Sequence, residues 1–194
     1  MGRAASIFYL YVNLCLSPAS SMRKGSILLL LFLSVQAFAQ DRNDSLLQLL
    51  EKAVDEDRIV LLKELCWENR YNHPAEALSY GLEALSLVKE LDSHPEEASI
   101  NNYLGIIQRN VGDHATALEY FFTARRIDGE QNNLKDWAYA NNNIGDIYNL
   151  QQDYGLALKY ELTALTTFEE LGDSLGVSYC CHQIALVHSN MGEY

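Results

Sequence analysis

The side chains richest in chemistry stand near the C-terminal end of the chain, where Cys180, Cys181 and His182 are followed by His188. Thiolate and imidazole are the ligands of structural zinc, which takes four of them around one ion. Consecutive side chains on a helix diverge by about 100°, so Cys180, Cys181 and His182 cannot meet at one ion without unwinding it. Cys181 and His188 share a face, and two ligands are too few. The sequence therefore predicts no metal site. Glu96-Glu97, Glu169-Glu170 and Asp55-Glu56-Asp57 could supply acid–base chemistry. Each reads instead as a solvated helix end, and Glu96 and Glu97 near a helix start favour the macrodipole. His73, His94 and His114 fall at expected turns. There is no Gly-rich phosphate loop, nucleophile elbow or HExxH motif, and no nucleophile, base and orienting group can be named together. The expectation is a protein that is not an enzyme and needs no cofactor. Asparagines form the remaining constellation: Asn101-Asn102 and Asn141-Asn142-Asn143 stand 40 residues apart. Asn is a mediocre helix former, so five of them need a reason. An amide carries a donor and an acceptor and could hold the backbone of an extended peptide; it could equally bond neighbouring turns within the fold. Both readings stay open for Asn102 and Asn142, and the second is preferred for the others.

The elements that position these residues repeat. Ala77, Ala117 and Ala157 are 40 residues apart, as are Leu78, Leu118 and Leu158, Tyr80, Tyr120 and Tyr160, and Ala84, Ala124 and Ala164. Four positions in register mark a stacked-repeat array, in which each unit buries its apolar face only against its neighbours. Each unit reads as two antiparallel helices joined by a tight turn. In the second unit the spacing predicts a first helix from Pro95 through Ile100, Leu104 and Ile107 to Val111, a break at Gly112-Asp113, and a second helix that places Ala117, Leu118, Phe121 and Ala124 on one face. The third unit repeats this with Ile144, Gly145 and Tyr148, a break at Gln152-Asp153, then Ala157, Leu158 and Ala164. Gly105, Gly145 and Ala185 are 40 apart, where small residues let facing helices approach closely. Ala77, Ala84, Ala117, Ala124, Ala157 and Ala164 complete the expected packing positions.

The spacing Ile144-Gly145-x2-Tyr148, then Ala157 and Ala164, resembles the tetratricopeptide repeat, with its W-x2-L-G-x2-Y, A-x3-F and later A. Leu104-Gly105 with Ala117-x3-Phe121 and Ala124 carries the same resemblance, which covers about residues 57–194. The chain departs from the pattern in placing Asn101 and Asn141 at the tryptophan position and Gln108 opposite Tyr148, in lacking the usual proline, and in its longer period. The resemblance implies an all-α fold, a right-handed superhelical stack of antiparallel helix pairs, and a protein- or peptide-binding concave face lined by the first helices. By helical phase Asn102, Arg109, Tyr139, Asn142, Asn149, Tyr179 and His182 belong near that side. For Tyr139 and Tyr179, aromatics at helical spacing, burial in the core is the preferred alternative.

The units are expected at 57–92 (diverged, with Leu65 at the Gly position), 93–133 and 134–173, after an N-terminal capping helix within 40–56 built on the amphipathic Ser45 to Val54. Residues 174–194 supply only the first helix of a fourth unit, ending at Gly192-Glu193-Tyr194, where another helix should open. Ile184, Ala185 and Val187 would then lack a partner. This predicts that the sequence is the front of a longer protein or that another chain, including a second copy, covers the end.

The first 39 residues hold no acidic residue. Arg23-Lys24, the apolar run Ile27 to Val35 and Ala37-Phe38-Ala39 before Gln40 read as a secretory signal peptide, with Met22 the better start. The apolar run is too short to span a bilayer. Removing Arg3, Arg23 and Lys24 takes the formal charge from −12 to −15, a surface that repels phosphate and so disfavours nucleic acid and anionic headgroups as partners. Cys66, Cys180 and Cys181 remain after processing. Their odd number argues against a disulfide framework, and all three are expected as small apolar core residues. The leader, the short cap with Trp67-Glu68-x-Arg70-Tyr71 and the long repeats look like the exported sensory half of bacterial signalling proteins. The other readings are a stand-alone periplasmic scaffold and a repeat region appended to an exported enzyme.

Overall fold

The computed structural model describes residues 42–92 and 95–192. The expected leader over 1–39, the start at Met22 and cleavage after Ala39 lie outside these residues, as do His94, Glu193 and Tyr194. The chain divides into compact units at Met1–Ser45 and Leu46–Tyr194; only the opening of one helix is described in the first, and the second holds the repeats.

The described residues form helices and no strand: α1 (42–50), α2 (Asp55–Asn69), α3 (Pro74–Leu91), α4 (Glu97–Val111), α5 (His114–Glu130), α6 (Leu134–Leu150), α7 (Tyr154–Leu171) and α8 (Ser174–Met191). The first helices bury apolar residues three and four apart, Ile100, Leu104 and Ile107 in α4 and Ala140, Ile144 and Ile147 in α6, which places them on one stripe. Burying a Leu or Ile is worth about 1.5–3 kcal/mol, more than the roughly 1 kcal/mol that a mid-helix glycine costs. The expected start of α4 moves: Pro95 lies in the turn before Glu96, and the helix opens at Glu97.

Short turns stop one helix and start the next. Gly112 and Gly172 take left-handed backbone with φ of 88° and 67°, a conformation that costs glycine nothing. The aspartate that follows caps the new helix. Asp113 accepts from the Thr116 N–H and Asp173 from those of Leu175 and Gly176, all at 3.1 Å, an arrangement worth about 1 kcal/mol per cap. Gln152 at φ 64° and Asp153, which accepts from the Leu156 N–H at 3.1 Å, do the same between α6 and α7.

Consecutive helices pack α2 on α3, α4 on α5 and α6 on α7, and the hairpins join through α3–α4, α5–α6 and α7–α8. The first helices α2, α4, α6 and α8 also approach one another in succession, whereas the backbones of successive second helices stay apart. The first helices therefore line one side of the repeats, the side here called inner. Ala77, Ala84, Ala117, Ala124, Ala157 and Ala164 are fully buried in its seams. A Cβ added to Gly105 would lie 2.5 Å from the Phe121 ring, and one at Gly145 2.6 Å from Glu161 Oε1. Ala185, the third member of that series, is exposed, because no described helix lies over that side of α8. Cys181, expected in the core, is exposed for the same reason, while Cys66 and Cys180 are buried. Ile184 is half-buried, and Val187, expected to lack a partner, is fully buried.

Gly105→Ala tests the close approach. The substitution gains helix propensity but drives a methyl into a fully buried ring. Urea unfolding should show a net loss of about 1–3 kcal/mol, part of which returns when Phe121→Leu is added.

Candidate protein-binding face

Polar side chains on the inner helices bond mainly to one another. Asn143 Nδ2 donates to Asn102 Oδ1 at 2.8 Å between α6 and α4, and Asn190 Nδ2 to Asn149 Oδ1 at 3.0 Å between α8 and α6. The Arg109 guanidinium of α4 meets Asp146 Oδ2 of α6 at 2.8 Å, with both side chains less than a quarter exposed. Each link spans about one repeat in sequence, at separations of 41, 41 and 37 residues. Asn102, Arg109 and Asn149 thus serve to hold the stack in register. Asn101 and Asn141 turn back on their own helices, donating at 2.8 Å to the carbonyls of Glu97 and Trp137.

Asn142 is not on the inner face. It is buried, and its Nδ2 donates to Glu161 Oε2 at 2.6 Å with Cys180 Sγ at 3.8 Å. Its helical phase turns it into the seam with α7 and α8. His182, at the same repeat position on α8, is exposed on the side that no described helix covers. Tyr139 is half-buried with its ring edge-on to Phe168 at 4.7 Å, and Tyr179, 49% exposed, lies 6.5 Å from it. Of the seven residues expected at a partner-binding face, Tyr179 and His182 are exposed, and both stand on α8.

A second cluster stands at the end of α2. The Arg70 guanidinium lies over the Trp67 ring at 3.4 Å and over the Tyr71 ring at 4.4 Å, and Trp67 packs on Tyr103 of α4 at 4.6 Å. Tyr71 is 62% exposed. Trp, Tyr and Arg on a rigid support are the residues that dominate protein interfaces. The sequence carried a signal for this cluster, since Trp67-Glu68-x-Arg70-Tyr71 gathers two aromatics and an arginine within five residues where the helix ends.

Two buried carboxyls were missed. Asp128 is 3% exposed, accepts from Asn133 Nδ2 at 3.2 Å, and is pushed up to about 6 by burial, with the charge of Asp136 adding and the Asn133 bond opposing. Glu161 is fully buried, and burial pushes its carboxyl up to about 8, opposed by the Asn142 bond. The repeat could have revealed it, because Ala157-x3-Glu161 stands where Ala117-x3-Phe121 does one unit earlier. Among the described residues no three His, Cys, Asp or Glu side chains are grouped to hold a metal ion, and no helix is long and apolar enough to cross a membrane.

No protein-family model matches the chain, and no curated protein matches it by sequence. Solved structures do match. The chain is similar to the TPR-like repeats of a Podospora anserina protein described as a kinesin light chain, at 13% identity and a TM-score of 0.64, covering 91% of this chain and 90% of that one. It is also similar to BtubC (BKLC) from P. vanneervenii, at 17% identity and a TM-score of 0.54, covering 84% of this chain and 75% of that one. The fold is a TPR-like helical repeat stack. Likeness at this identity concerns the fold alone.

The Arg109 and Asp146 pair can be measured by a double-mutant cycle. Arg109→Met and Asp146→Asn should each destabilise the stack, and their coupling in urea unfolding should be about 1 kcal/mol, within the range for contacting charged pairs.

Proposed function

We propose that this chain is a protein- or peptide-binding scaffold and that its partner engages the inner side of the stack, where first helices stand close together. The observation that carries this reading is the approach of successive first helices to one another, which presents several repeats along one continuous surface. The TPR-like fold supports it. The inner amides are largely committed to each other, so we assign recognition to the aromatic groups that remain accessible, Tyr71 with Trp67 and Arg70 at one end and Tyr179 at the other. The acidic surface, with a formal charge of −12 for the whole sequence, disfavours nucleic acid.

We further propose that the repeats act in the periplasm after export, as the input region of a bacterial signalling protein. That reading rests on the Arg23-Lys24 and apolar leader pattern and on the resemblance of the layout to exported sensory regions. Cell fractionation and N-terminal sequencing test the first part, with a mature chain beginning at Gln40 in the periplasm expected. Sequencing the gene past the Tyr194 codon tests the second. An apolar segment of about 20 residues followed by an output domain supports it, and a stop within a repeat or two overturns it in favour of a stand-alone scaffold.

Partner binding is tested with a displayed library of random peptides selected on the immobilised protein. Tyr71→Ala and Tyr179→Ala should weaken selected peptides by tenfold or more, in line with interface anchors, with unfolding midpoints unchanged. Peptides that bind both variants as tightly as the parent would remove these residues from the site.

A further inference from the structure

Glu161 has no exposed surface, and it lies in a seam of apolar and small side chains. The helices whose backbones approach α7 are α6 and α8, and α5 reaches it through Phe122 and Arg125, both of which lie against the Tyr160 ring rather than against Glu161. From α6 the carboxyl meets Asn142, with Asp146 a turn further on; from α8 it meets Cys180. No basic group is among these neighbours, and the guanidinium of Arg109 is engaged by Asp146. Oε1 has no hydrogen-bond partner and lies against the α carbon side of Gly145, where even a Cβ would come within 2.6 Å. A carboxylate stripped of water and left without a cation is strongly disfavoured.

Asn142 Nδ2 lies 2.6 Å from Glu161 Oε2, a distance that a hydrogen bond in either direction can span. A half-turn of the amide exchanges its nitrogen and oxygen at nearly the same positions. A protonated carboxyl donating to Asn142 Oδ1 satisfies that distance.

We propose that Glu161 is held as the neutral acid in the folded stack and that its ionisation loosens α8 from the α6–α7 hairpin, which makes attachment of this helix proton-dependent. A carboxylate here must draw in water. Of the two helices around it, α6 is held on both sides by neighbouring hairpins, while α8 has one side uncovered among the described residues and packs only on α7 and α6. The helix that yields is therefore α8.

The direction of the pH effect follows from burial. The folded-state carboxyl is raised from 4.5 to about 8, so its stabilising contribution is full below about 4.5 and is lost as pH rises through 8. Asp128, raised from 3.8 to about 6, adds a loss that is complete at lower pH. The window from about 6 to 8 is thus where Glu161 dominates, and the unfolding equilibrium constant should rise there by up to about tenfold per pH unit.

The test compares the full chain with Glu161→Gln, an uncharged residue of the same shape. Urea unfolding of the parent should weaken on that slope between about pH 6 and 8 and level off above it, and E161Q should lack this component. At pH 9 hydrogen exchange should be faster in α8 of the parent than of E161Q, and Cys180 should be alkylated at least tenfold faster in the parent, measured against exposed Cys181 in the same molecule. Parallel pH profiles for the two proteins, with equal Cys180 labelling, overturn the proposal. Infrared spectroscopy of the parent decides the matter even if E161Q does not fold. A carboxylic-acid carbonyl band that persists at pH 7 and disappears by pH 9 is expected, and its absence at pH 7 overturns the assignment.

Discussion

Everything in the stack depends on how near the two helices of a hairpin can come. Gly105 admits the Phe121 ring and Gly145 admits Glu161, in both cases at distances that leave no room for a methyl group. That approach lets the alanines at 40-residue intervals vanish from the surface and sets the angle at which the next hairpin must join. Dense packing transmits a local misfit to its neighbours, so a repeat cannot adjust one seam independently of the next. The turns serve the same geometry. Left-handed glycine or glutamine followed by a capping aspartate reverses the chain in about two residues and leaves the helices no slack.

The polar residues divide between two tasks. Those on the inner helices hold register: Asn143 to Asn102, Asn190 to Asn149 and Arg109 to Asp146 are contacts between equivalent elements of adjacent repeats. Hydrogen bonds need particular atoms at particular places, so these links specify one alignment where apolar packing alone would tolerate several. Those in the seams are costlier. Asn142, Glu161 and Cys180 place a titratable group in a position that holds Phe121 one unit before. Stability is lower there than an aromatic ring would give, and sensitivity to protons is the property gained.

The period of the sequence made the fold legible, because packing between neighbours repeats whatever the surface does. Helix breaks at Gly112-Asp113 and Gln152-Asp153 were legible for the same reason, as the residues that end and start helices have intrinsic backbone preferences. The start of α4 was not, since Pro95 is compatible with the first helical turn and with the turn before it. The inner face was read only in part. Helical phase put Asn142 with Asn102, but a rotation of a few tens of degrees decides whether a side chain meets its own hairpin, the next repeat or solvent. Asn102 finds Asn143 while Asn142 finds Glu161, and one sequence contains no measure of that rotation. Ala185 and Cys181 show the complementary limit: a residue type announces that it can be buried, and only a neighbouring helix makes it so.

The first helices are tied edge to edge by directional bonds, while the second helices are joined across repeats by little more than ring contacts such as Phe122 with Tyr160, 6.2 Å between centroids. Stiffness is therefore unequal across the ribbon, in the way that a bound book is firm at its spine and free at its fore-edge. Bending that fans the outer helices apart disturbs few oriented contacts, whereas sliding along the inner edge breaks amide pairs and an ion pair together. Such an array changes its curvature far more readily than its register, so its inner row of side chains keeps its order on a gentler or tighter arc.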